Sequence, residues 1–221
     1  MFHQLRGAEP DFLNSLHNIY SMKNILHIIS SPRGKDSFSI KLGEGIIEKL
    51  LTKYPGSVVK EHNLAKEPFP HLGEAELAAF FTEPENRTDE HNTNLGQSEK
   101  AIKELFEADI IVIGAPVYNM HIHSTLKAWI DHIVRSGRTV NFGGSGPEGL
   151  IKNKKVYLAI SSAGKYSKGQ WKQFDFVEPY LRFVLNLVGL SDVEVLRVEG
   201  TNVPAEQSIA LEQIITNFTA A

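Results

Sequence analysis

Apolar residues along the chain fall into short unbroken runs that alternate with longer stretches of helical period. "KNILHII" (23–29) is such a run, bounded by turn residues, and it predicts a buried strand. Residues 37–53 follow with Ile40, Gly43, Ile46, Ile47 and Leu50 on one face, the spacing of a helix. "SVVKEHNL" (57–64) alternates and predicts a second strand. Residues 65–97 are rich in Pro, Glu, Asn and Thr, with "EAELAAFF" as one helical candidate inside them, and 98–108 reads as helix. "ADIIVIGAPVY" contains the clearest buried strand, 109–115, ended by Pro116. "HSTLKAWIDHIVRSG" carries an apolar stripe at Leu126, Trp129, Ile130 and Ile133 and stops at Gly137. Residues 138–153 read as a glycine-rich loop. "KKVYLAIS" predicts a fourth strand, "FVEPYLRFVLNLVG" a helix, "DVEVLRVEG" a fifth strand, and 204–219 a closing helix.

Buried strands separated by helices imply a parallel sheet covered on both faces. The expectation is a three-layer α/β/α, doubly wound, five-stranded parallel sheet of order 2-1-3-4-5. Such sheets bind ligands at the carboxyl ends of their strands, beside strand 1. That selects the loops at 30–39, 116–124 and 161–170. Residues 1–21 are expected to lie outside the domain that begins at Met22, with a short surface helix (Phe12, Leu13, Leu16, Ile19) as the other reading.

Composition narrows the chemistry. The 221 residues suit one domain with a full core, and a net charge of -3 argues against a nucleic-acid partner. There is no cysteine, so thiolate metal sites, disulfides and cysteine nucleophiles are excluded, in keeping with a reducing cytoplasm. The best apolar run, Ile110 to Val117, is far too short to span a membrane.

The first loop, "SSPRGKDSFS", precedes a helix N-terminus, where free N–H groups and the positive dipole end favour an anion. Ser31, Ser37 and Ser39 add hydroxyl donors. The loop lacks the P-loop pattern, since Asp36 follows Lys35 and Ile29 stands where the first glycine belongs. It lacks G-x-G-x-x-G as well. The second loop offers Pro116, Val117, Tyr118, Asn119 and Met120, an apolar and aromatic edge with backbone N–H groups for a flat ring. His121 and His123 have metal-pair spacing but no nearby acidic cluster, and capping or packing explains His123 better. In the third loop, Ser162, Ala163 and Gly164 let a ligand approach the backbone, and Lys165 brings a cation. Taken singly, the loops read as a helix cap, core residues at a strand end and a solvent loop. Together they meet at one sheet edge.

"SSPRGKDSFS", "APVYNMHIHSTLKAWID", "FGGSGPEGLIKNKKV" and "SSAGKYSKG" together make the chain from Met22 onward resemble the FMN-dependent NADH-azoreductases, or NADH:quinone oxidoreductases, of the flavodoxin-like fold. The resemblance implies a homodimeric enzyme with one FMN per subunit and NADH as donor. It implies two-electron reduction of quinones, reductive cleavage of azo compounds to amines, and ping-pong hydride transfer through flavin N5. It places the FMN phosphate and ribityl chain on Ser31, Ser37, Phe38 and Ser39, with Arg33 and Lys35 turned to solvent. Val117 to Met120 flank the isoalloxazine, and Ser162 to Lys165 line its pyrimidine end. No side chain is implied as a catalytic group. Many relatives have glycine at Lys165, phenylalanine at Met120 and a histidine near Tyr166 and Ser167, which makes Lys165 and Tyr166 candidates for tuning the flavin. The competing reading is a flavodoxin-like electron carrier serving a protein partner. The near-neutral charge and the 65–97 insert weigh against it.

Overall fold

A computed structural model describes residues 22–144 and 146–220; the expectation for residues 1–21 lies outside them. The central sheet contains β1 (Asn24–Ile29), β2 (Val58–Asn63), β3 (Ile110–Pro116), β6 (Lys155–Ser162) and β7 (Asp192–Glu199). Its order is β2-β1-β3-β6-β7, with every neighbouring pair parallel. This is the expected 2-1-3-4-5 order. The later numbers arise because a two-stranded antiparallel hairpin, β4 (Val140–Gly143) with β5 (Gly146–Gly149), occupies the segment read as glycine-rich loop. The sequence hid it because these strands are short and mostly exposed, so their pairing is a matter of backbone and leaves little apolar pattern.

The period-2 alternation of the strands sorts their side chains onto two faces. On one face Leu26, Ile28, Ile111, Ile113, Val156, Leu158 and Ile160 pack against α3 (Asp89–Glu107), α4 (Ser124–Ile133) and α5 (Val177–Leu187). On the other, Ile25, Val112, Tyr157, Ala159 and Val198 meet α1 (Phe38–Lys53) and α6 (Pro204–Asn217). The 65–97 insert holds α2 (Glu74–Phe81) where "EAELAAFF" predicts it, and α3 begins nine residues ahead of the predicted 98. Its polar first turns start at a reciprocal cap. The His91 N–H donates to Thr88 Oγ1 at 3.2 Å, and the Thr88 N–H donates to His91 Nδ1 at 3.3 Å.

The hairpin is docked by two glycines. A Cβ on Gly149 would lie 2.0 Å from the Gly189 nitrogen, and Gly189 itself has φ +99°. Only glycine fits this backbone contact at the end of α5.

Candidate functional site

Strands β1, β3 and β6 lie side by side, so the loops leaving their carboxyl ends are neighbours. Ile29 pairs with Gly114 and Pro116 with Ser161. The first loop is anchored to the second strand of this group, because Ser30, fully buried, donates its hydroxyl to the Gly114 carbonyl at 2.7 Å. The first turn of α1 crosses the same glycine: a Cβ there would lie 3.5 Å from the Ser39 carbonyl oxygen.

Within the first loop, Ser31, Ser37 and Ser39 are all buried. Ser37 occupies the N-cap of α1, yet its side chain does not cap the helix. Its Oγ lies 3.0 Å from Ser39 Oγ instead. Ser31 Oγ accepts the Arg33 N–H at 3.3 Å. Two paired hydroxyls beside the open first-turn N–H groups of Phe38, Ser39 and Ile40 make a donor set for a dianionic phosphate. Pro32, Arg33, Gly34, Lys35 and Asp36 are exposed, as the solvent-facing reading of Arg33 and Lys35 expects.

The second loop is a tight turn. The Tyr118 N–H donates to the His121 carbonyl and the His121 N–H to the Tyr118 carbonyl, each at 2.9 Å. Its two central residues, Asn119 (φ 47°) and Met120 (φ 67°), both lie in the left-handed region, the mark of a type I′ turn. Methionine there is under local strain, as happens at ligand-binding turns. Val117 and Tyr118 are half-buried, whereas Asn119 and Met120 face outward. Tyr118 does not belong to the buried core, although Val117 packs against it. Both histidines are engaged elsewhere. His123 caps α4, its Nδ1 accepting the Thr125 N–H and lying 2.8 Å from Thr125 Oγ1, and burial lowers its pKa. His121 Nδ1 accepts the Ile122 N–H and its ring rests on Tyr180.

The third loop turns back on itself. Ser162 donates its hydroxyl to the Gly164 carbonyl at 2.7 Å. The Tyr166 ring folds over Gly164, where a Cβ would meet its Cζ and Oη at 2.8 Å. Ala163 and Lys165 are exposed, and the Lys165 stem lies across Gly200. Sequence reasoning missed Ser30, whose tie to Gly114 has no local signal. It also missed Glu199, which accepts the Tyr166 N–H at 2.7 Å and the Ser167 N–H at 2.8 Å.

A separate cleft, lined by Asn24, Val58, Lys60, Glu104 and Ala108, opens beside the amino-terminal ends of β1 and β2. Its carboxylate is already satisfied: Glu104 is 3.0 Å from His62 Nδ1 and 3.2 Å from Lys60 Nζ. Burial favours protonation of Glu104, and these two partners outweigh it to leave the pKa lowered. The donor-rich loops lie at the other end of the sheet.

A parallel sheet of this order, covered by helices on both faces, is that of a flavodoxin-like protein, and the family model described as "Flavodoxin-like fold" matches residues 23–220. Within that fold the chain belongs to the family of the FMN-dependent NADH:quinone oxidoreductases. It is 45% identical over 185 residues to the FMN-dependent NADH:quinone oxidoreductase of Herminiimonas arsenicoxydans, covering 84% of this chain and 91% of that one. It is 42% identical over 183 residues to the same-named protein of Beijerinckia indica, covering 83% and 91%. Among solved structures it resembles an azoreductase from Bacillus anthracis with a TM-score of 0.80 at 26% identity, over 88% of this chain and 96% of that one.

Proposed function

We propose that the chain is an FMN-dependent NADH:quinone oxidoreductase that also cleaves aromatic azo compounds to amines. The observation that carries this reading is the convergence of three donor-rich loops on one sheet edge, in a chain 45% identical to a named oxidoreductase. The residues fit FMN. The buried Ser31, Ser37 and Ser39 and the N-terminus of α1 hold its phosphate and ribityl chain, with Phe38 beside them. Pro116, Val117, Tyr118, Asn119 and Met120 flank the ring, and Ser162, Ala163, Gly164 and Lys165 line its pyrimidine end.

When bound, FMN supplies the two-electron chemistry that links NADH oxidation to quinone or azo reduction. The protein binds and orients it. The hydroxyls and N–H groups of the first loop neutralise the phosphate without a strong cation, which suits permanent retention of a monoester. The strained turn leaves Asn119 and Met120 exposed, where they would meet a flat substrate stacked on the bound ring. Lys165 would bring a positive charge to the pyrimidine end of the bound cofactor.

The reading includes a homodimer working in the cytoplasm. The homodimer is supported by large apolar side chains left exposed: Phe81 at the end of α2, Phe142 on the hairpin, and Trp171, Phe176 and Phe183. In the dimer the insert and the hairpin wall the neighbouring subunit's pocket. Among the described residues no helix is long and apolar enough to cross a membrane. The test is turnover. Purified protein with NADH and a quinone, and nothing else, should consume both in equal amounts. An electron carrier would stay idle until a protein partner is added.

A further inference from the structure

Strand β7 ends beside β6 at the pair Ser162–Glu199, directly under the third loop. Two side chains on the same face of β7, Arg197 and Glu199, reach the segment that crosses from β6 to α5 at its two ends. At the near end, Glu199 Oε1 accepts the Tyr166 N–H at 2.7 Å and the Ser167 N–H at 2.8 Å, and Oε2 accepts the Ser167 hydroxyl. At the far end, Arg197 pairs with Asp175 and with Glu178, the latter at 2.7 Å. Arg197 Nη1 has no hydrogen-bond partner among the described residues, although it is buried, and it lies 3.6 Å from Glu199 Oε1. The residues after Glu199 continue the seam. The Gly200 N–H donates to the Gly164 carbonyl at 3.4 Å, and the Thr201 N–H donates to the Ser162 carbonyl at 3.1 Å.

A carboxylate accepting two adjacent peptide N–H groups fixes the peptide plane between them. Here that peptide lies immediately after Ser162–Lys165. We propose that Glu199 is a positioning residue for FMN: it holds the third loop in its binding shape before the cofactor arrives, with Arg197 holding Glu199 in turn. This rests on the reading of the third loop as part of the FMN site. Glu199 needs no contact with FMN. It acts by removing the ordering cost of the loop from the binding step.

Apo-protein should first be titrated with FMN by fluorescence quenching. Wild-type protein that fails to bind FMN overturns the site reading itself. If wild type binds, Glu199→Ala should weaken FMN by about 10-fold or more, equivalent to about 1.4 kcal/mol. Glu199→Gln, whose amide oxygen still accepts both N–H groups, should recover most of that loss. Equal FMN affinity in Glu199→Ala and wild type overturns the proposal while leaving the site reading intact. Equal weakness in the Ala and Gln variants also overturns it, because charge alone would then be at work. Should Glu199→Ala not fold, hydrogen exchange on wild-type apo-protein decides. The Tyr166 and Ser167 amides should be protected, whereas exchange as fast as an open loop would refute a preformed shape.

Discussion

Ser30 and Gly114, 84 residues apart, are joined by a buried hydrogen bond from the serine hydroxyl to the glycine carbonyl at 2.7 Å. It ties the loop after β1 to the strand that leads into the Tyr118–His121 turn, so the proposed phosphate and ring ends of the site keep a fixed spacing. Ser30→Ala removes the donor of this buried bond. The expected loss is about 1–2 kcal/mol of stability in urea unfolding, with FMN binding weakened beyond what lost stability explains. Unchanged affinity would mean that the two loops are positioned independently.

Met120, proposed to flank the flavin ring, holds φ 67°, a conformation that costs a side chain about 1 kcal/mol. Met120→Gly should raise the melting temperature and lower FMN or quinone affinity together, a trade of stability against binding. Thermal unfolding and FMN titration of the one variant measure both sides of it.

His27 sits buried on β1 against Gly43, where a Cβ would meet its Nε2 at 2.7 Å, and that nitrogen has no hydrogen-bond partner among the described residues. Burial pushes its pKa down from 6.5 to about 4. Below pH 6.5 the unfolded chain takes up a proton that the folded one refuses, so stability falls with pH until about pH 4 and levels off there. Integrated over that window the loss is roughly 3 kcal/mol at about 1.4 kcal/mol per pH unit. Glu104 adds to it lower down, since its lowered pKa means stability lost as pH falls through the carboxylate range. Urea midpoints between pH 7 and 4 measure the slope, and His27→Leu should flatten its upper part.

Gly149 and Gly189 meet backbone to backbone, the hypothetical Cβ of one 2.0 Å from the nitrogen of the other. No side-chain rotation relieves such a contact. Gly149→Ala should cost about 2–4 kcal/mol or displace the hairpin. A displaced hairpin would leave the global melting temperature nearly intact and speed hydrogen exchange over 140–149, which separates the two outcomes.

The sheet was legible because its central strands β1, β3 and β6 are buried on both faces and so read as continuous apolar runs, "ADIIVIGAP" above all. The serines Ser31, Ser37 and Ser39 stand out in the sequence ahead of a helix, and the structure buries all three. The hairpin was not legible, since Gly143, Gly146, Pro147 and Gly149 carry weak strand preference and its pairing is backbone to backbone. The first turns of α3 were missed because "DEHNTNLGQ" has little helical period, and a Thr88–His91 cap starts the helix instead. Glu199 lay beyond reach for a different reason. Its partners are 32 and 33 residues away and become neighbours only once β7 pairs with β6.

The three loops are proposed to hold FMN and to join NADH oxidation to quinone reduction. The most direct test is an anaerobic visible-absorption titration of apo-protein with FMN, followed by NADH and then a quinone. One FMN should bind per chain, the flavin band should bleach on adding NADH, and the quinone should restore it. Protein that retains no FMN, or a bleached band that quinone leaves unchanged, would contradict the account.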